Sequence, residues 1–72
     1  MKRMEVTVTY RRVEDGRVYV EVEERVPRHV TRIEPPRWWS RTFRSMEEAR
    51  AWAEDDENSW KVVKTETEGN ES

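Results

Sequence analysis

The chain has 72 residues, of which 42% are charged and 33% hydrophobic, and a formal net charge of -2. So short a chain holds at most one small domain and buries roughly 60% of its unfolded surface. Without cysteine it can form neither disulfides nor thiolate metal sites, a single histidine excludes a paired-imidazole site within one chain, and the absence of leucine argues against a zipper or a helical bundle. The charge total is close to the disordered regime, but four Trp, two Tyr and one Phe provide material for a core.

Met1-Lys2-Arg3-Met4 leads into alternating Val and Thr rather than an apolar stretch, so no signal peptide is expected. No run approaches the ~18 apolar residues of a membrane span. The expectation is a cytoplasmic protein without membrane contact.

Residues 4–13 alternate with period two, placing Val6, Val8 and Tyr10 on one face and Glu5, Thr7, Thr9 and Arg11 on the other. Residues 17–26 repeat the pattern, with Val18, Val20 and Val22 against Tyr19, Glu21 and Glu23. Both read as half-buried strands joined by Glu14-Asp15-Gly16, a three-residue hairpin loop whose last position needs the left-handed region and has glycine there. If Val13 opposes Arg17, then Tyr10 faces Val20, Val8 faces Val22, Arg11 faces Tyr19 and Glu5 faces Arg25. A two-residue turn would set Val8 against Glu23 and mix the faces, so the three-residue loop is predicted.

Pro27 ends the second strand. His29-Val30-Thr31-Arg32-Ile33 is compatible with a short strand, Pro35-Pro36 breaks regular structure, and Trp38 to Phe43 suits a further extended segment. Ser45-Met46-Glu47-Glu48 is a capping box opening a helix from Met46 to about Asp56, with Met46, Ala49, Trp52 and Ala53 on one face. Glu54, Asp55, Asp56 and Glu57 crowd its negative end and limit its length. Trp60-Lys61-Val62-Val63-Lys64-Thr65 reads as a last strand. The predicted fold is α+β: a small antiparallel sheet, a β-hairpin plus further strands, with one amphipathic helix on one face, in the order ββ(β)αβ. Residues 1–66 form the single domain and 67–72 a disordered acidic tail.

No catalytic apparatus is expected. No serine follows a glycine-rich elbow, the single histidine has no paired nucleophile, and the two glycines serve a turn and the tail. The Asp55-Asp56-Glu57 run lacks the ligand spacing of a calcium loop, so neither metal nor cofactor is expected.

Charge is polarised, +4 over residues 1–44 and -6 over 45–72. Residues 25–44 concentrate it: Arg25, Arg28, Arg32, Arg37, Arg41 and Arg44 stand against Glu34, interleaved with His29, Trp38, Trp39 and Phe43. Arginine beside tryptophan suits interface hot spots and also suits phosphate contact with base stacking. The bland alternative is that one tryptophan caps the core while the arginines neutralise the acidic helix. Neighbours on a strand point to opposite faces, so Trp38 and Trp39 cannot both enter one core. The candidate binding residues are Arg37, Trp38, Trp39, Arg41, Phe43 and Arg44.

Residues 41–53, Arg-Thr-Phe-Arg-Ser-Met-Glu-Glu-Ala-Arg-Ala-Trp-Ala, resemble the end of the arm-type DNA-binding domain of phage-type tyrosine recombinases. There a three-stranded sheet leads through a similar Phe and a Ser/Thr cap into a helix bearing Trp. The resemblance implies a nucleic-acid-binding sheet face, here Thr7, Thr9, Arg11 and Tyr19. As a stand-alone charged chain the protein also resembles small phage inhibitors and adaptors. The leading expectation is therefore a non-enzymatic protein that docks another protein, with nucleic-acid binding as the alternative and homodimerisation as a third possibility.

Overall fold

The computed structural model describes residues 3–13, 15–27, 29–31 and 34–68. It contains strands β1 (Met4–Arg12), β2 (Val18–Glu24) and β3 (Trp38–Phe43), helix α1 (Met46–Ala53) and strand β4 (Trp60–Glu68). The sheet order is β3-β2-β1-β4. β2 runs antiparallel to β1 and to β3, whereas β4 runs parallel to β1, so the α+β sheet is mixed. Two reversals bring β3 back to the direction of β1. Residues 44–59 then cross the sheet and restart the chain in that direction, a connection long enough for a parallel crossover. At 16 Å the thinnest dimension fits one sheet and one helix layer, and among the described elements none covers the other sheet face.

The hairpin adopts the predicted register, with Val8 opposite Val22, Tyr10 opposite Val20 and Arg11 opposite Tyr19. The Arg25 amide donates to the Glu5 carbonyl at 2.9 Å, continuing it beyond the strands. Val6, Val8, Tyr10, Val18, Val20 and Val22 form the buried face. Each fully buried valine contributes about 1.5–3 kcal/mol, so a one-residue slip would forfeit most of the core. In the turn the Gly16 amide donates to the Val13 carbonyl at 3.0 Å, and Gly16 has φ +87°. A Cβ there would meet nothing within 4 Å, so the only cost of a side chain is backbone conformation. Gly16→Ala is expected to lower stability by about 1 kcal/mol, read as a lower urea midpoint with unchanged slope. An unchanged midpoint would mean that the turn relaxes to another geometry.

Helix α1 is capped much as its sequence predicts. The Glu48 amide donates to Ser45 Oγ at 3.2 Å, but the Glu48 carboxylate accepts from the Arg44 amide at 3.3 Å, one residue earlier than a capping box requires. The helix ends at Ala53 rather than near Asp56. Its last carbonyls are taken by side chains: Asn58 Nδ2 donates to Trp52 O at 2.7 Å and Trp60 Nε1 donates to Ala53 O at 3.0 Å. Ala49 and Ala53 are buried against the valines, where their small size permits close approach, and Met46 and Trp52 pack beside them.

Besides the earlier helix end, three expectations change. The sheet is mixed rather than antiparallel, because the crossover through residues 44–59 returns β4 parallel to β1. Residues 29–31 are not a strand, and Arg32 and Ile33 lie outside the described residues. β4 continues through Thr67 and Glu68, where the sequence predicts a disordered tail, while 69–72 lie outside the described residues. The extension has no apolar pattern because the eight-residue helix is only about 12 Å long and cannot cover a nine-residue strand. Its pairing partner is β1, and Glu68 accepts from Arg11 Nε at 3.0 Å and Nη2 at 2.8 Å.

Candidate functional site

β3 carries the tryptophan pair, and its register sorts the candidate residues onto two faces. Trp39, Arg41 and Phe43 oppose Val22, Val20 and Val18 and therefore lie on the helix side. Trp38, Ser40 and Thr42 oppose Glu23, Glu21 and Tyr19 on the uncovered side.

On the helix side the aromatic rings close the core that the short helix leaves open. Trp39 meets Trp60 at 5.3 Å between ring centroids, Trp60 meets Trp52 at 5.3 Å, and Trp52 meets Phe43 at 5.3 Å. The first two contacts are edge-on, the arrangement that ring quadrupoles favour. The Arg41 guanidinium lies 5.1 Å from the Phe43 ring centre and 5.8 Å from that of Trp52, sealing this end of the row. Trp39 and Phe43 are thus only partly exposed and engaged with the core, so they do not share a patch with Trp38.

Trp38 is 60% exposed, the highest value among the exposed large hydrophobic residues. Around it the open face carries Thr7, Thr9, Arg11 and Tyr19, all four residues of the alternative site, so the structure does bring those four together. By register the face also bears Glu5, Glu21, Glu23, Glu66 and Glu68 against Arg11, Lys61 and Lys64. With Arg25, which lies opposite Glu5, the five carboxylates stand against four cations, so the face is mixed in charge. Arg11 is held by Glu68 and lies 5.9 Å from the Tyr19 ring centre.

Arg37 and Arg44 flank β3 and are exposed. Among the described residues, no ion pair engages the side chains of Arg37, Arg41 or Arg44, which runs against the expectation that they neutralise the acidic helix end. That acidic run is folded into local structure. Glu54 accepts from the Tyr10 hydroxyl at 2.7 Å, the Asp56 carbonyl accepts from Arg3 Nη1 at 2.8 Å, and Asp55 accepts from the Glu57 amide at 2.8 Å. Arg28 and Arg32 lie outside the described residues.

Sequence reasoning anticipates an unpaired sheet edge that a second copy could cover, but does not say which strand forms it. The Glu24 amide donates to the Arg37 carbonyl at 2.8 Å, which sets the alternation of the β2–β3 ladder. Arg37, Trp39, Arg41 and Phe43 exchange bonds with β2, while the amides and carbonyls of Trp38, Ser40 and Thr42 point away from the sheet. Only the strand order, with β3 at an edge, exposes this feature. Among the described residues no helix is long and apolar enough to cross a membrane. No protein-family model, curated protein or solved structure matches the chain.

Proposed function

We propose that the chain is a small non-enzymatic binding module that docks a protein through the open sheet face around Trp38. One observation carries the reading: Trp38 stands 60% exposed on an uncovered face while Trp39, Trp52 and Trp60 are packed against the core. A large, rigid, exposed indole is among the side chains that concentrate binding energy in protein interfaces. The carboxylates spread over the face favour a protein partner over phosphate. Arg37, Arg41 and Arg44 favour the second reading, contact of the β3 edge with a nucleic-acid backbone.

Trp38→Ala separates the function from the fold. Its stability is expected to stay within about 0.5 kcal/mol of the parent, while capture of a protein partner from the native host is expected to fail. Trp39 makes an unsuitable control because it packs on Trp60. Equal capture by the parent and by Trp38→Ala would move the docking surface elsewhere. Nucleic-acid binding would instead weaken by about one log unit per log unit of salt for each phosphate neutralised.

A further inference from the structure

The two edges of the sheet are unequally guarded. β4 carries Lys61 and Lys64, and its register with β1 shifts between Val6 and Thr7, placing a bulge in the edge. Lysines and bulges are devices that keep an edge strand from pairing. β3 has neither lysine nor proline within Trp38–Phe43, and its register with β2 is continuous. It therefore presents the outward amides and carbonyls of Trp38, Ser40 and Thr42 as a template for another strand.

We propose that the strand completing this edge is β3 of a second copy, paired antiparallel with Ser40 on the two-fold axis. The side chains select this register. With Ser40 opposite Ser40 of the second copy, Trp38 faces Thr42, Arg41 faces Trp39 and Arg37 faces Phe43. Arg37 and Arg41 thus each meet an aromatic ring, a favourable cross-strand pair. The outward-pointing groups also face one another, each opposed pair exchanging two hydrogen bonds. Shifting to the next register that keeps those groups opposed brings Arg37 against Arg41 in one direction and Arg41 against Arg41 in the other. Like charges directly opposite are destabilising, so both neighbouring registers are penalised. Pro36 lacks a donor and stops the ladder at one end. The pairing joins the two open faces into one eight-stranded surface bearing both Trp38 rings. It requires only the strand edge, so it stands apart from the docking role of Trp38.

The chain has no cysteine, which allows a direct geometric test. Ser40→Cys would place two thiols on opposed residues about 5.5 Å apart at Cα, within disulfide reach. Thr42→Cys would leave its counterpart about 13 Å away, beyond reach. Under the same mild oxidant, Ser40→Cys is expected to form a covalent dimer at least about tenfold faster than Thr42→Cys. Sedimentation equilibrium of the parent up to about 1 mM is expected to give a mass rising above 8.8 kDa. Ser40→Lys, which sets two ammonium groups against each other, is expected to hold it at 8.8 kDa with an unchanged far-ultraviolet spectrum. A parent that stays at 8.8 kDa throughout, or equal cross-linking of the two cysteine variants, would overturn the proposal.

Discussion

Trp52→Ala is expected to lower the unfolding free energy by about 3–5 kcal/mol. A chain of this length has roughly 4–11 kcal/mol in total, at 0.05–0.15 kcal/mol per residue, so the variant should be largely unfolded in mild urea. Trp52 is the one ring that touches both Phe43 and Trp60, and Arg41 lies against its face. Its loss leaves a cavity between the helix and β3 that alanine cannot fill, because the helix contributes only Ala49 and Ala53 to the fully buried core. Urea titration followed by far-ultraviolet circular dichroism measures the effect, with Trp38→Ala as the matched indole deletion. A Trp52→Ala midpoint equal to that of Trp38→Ala would show that the aromatic row adds nothing to stability. A Trp52/Trp60 double-mutant cycle should return a coupling of about 0.5–1.5 kcal/mol, since their centroids lie 5.3 Å apart.

The hairpin was legible because its information is local. Val6, Val8, Tyr10, Val18, Val20 and Val22 share a face that a one-residue slip would break up, and Gly16 supplies the turn that sets the register. The helix start was equally local, written in Ser45 and Glu48. That one of two adjacent tryptophans must face away from the core followed from strand geometry alone. Identifying it as Trp38 required the pairing of Trp39 with Val22 across β2.

What stayed hidden was long-range. Nothing near Trp60 tells a strand to lie beside β1 instead of β3, since that choice depends on how far residues 44–59 carry the chain across the sheet. The length of β4 was hidden because Thr65 and Thr67 lie past the reach of the helix, where alternation carries no apolar signal. The candidate site was half legible for the same reason. Arginine and tryptophan content marked the segment, but only the register divides it into Trp39, Arg41 and Phe43 on the core side and Trp38, Ser40 and Thr42 on the open side.

Tyr10 offers the second large effect and ties the hairpin to the helix end. Its ring is fully buried and its hydroxyl donates to Glu54 at 2.7 Å, while the Arg50 guanidinium lies 5.8 Å from the ring centre. Tyr10→Ala removes the largest fully buried side chain and should cost about 3–5 kcal/mol; Tyr10→Phe keeps the ring and should cost about 1 kcal/mol. The two variants therefore separate packing from the hydrogen bond. Burial raises the phenol's pKa well above its ordinary value of 10.0, the hydrogen bond and negative charge of Glu54 raise it further, and Arg50 partly offsets them. The folded chain thus holds this proton at pH values where the unfolded chain has released it. The contribution is fully present below pH 10 and is lost as pH rises through the elevated folded value. Relative to Tyr10→Phe, the parent should be more stable near neutrality, and its advantage should shrink steadily above pH 10. Both proteins share every other alkaline group, so the difference between their urea midpoints from pH 8 to 11 reports Tyr10 alone. Parallel midpoint curves across that range would mean that the phenol ionises as freely in the folded chain as in the unfolded one.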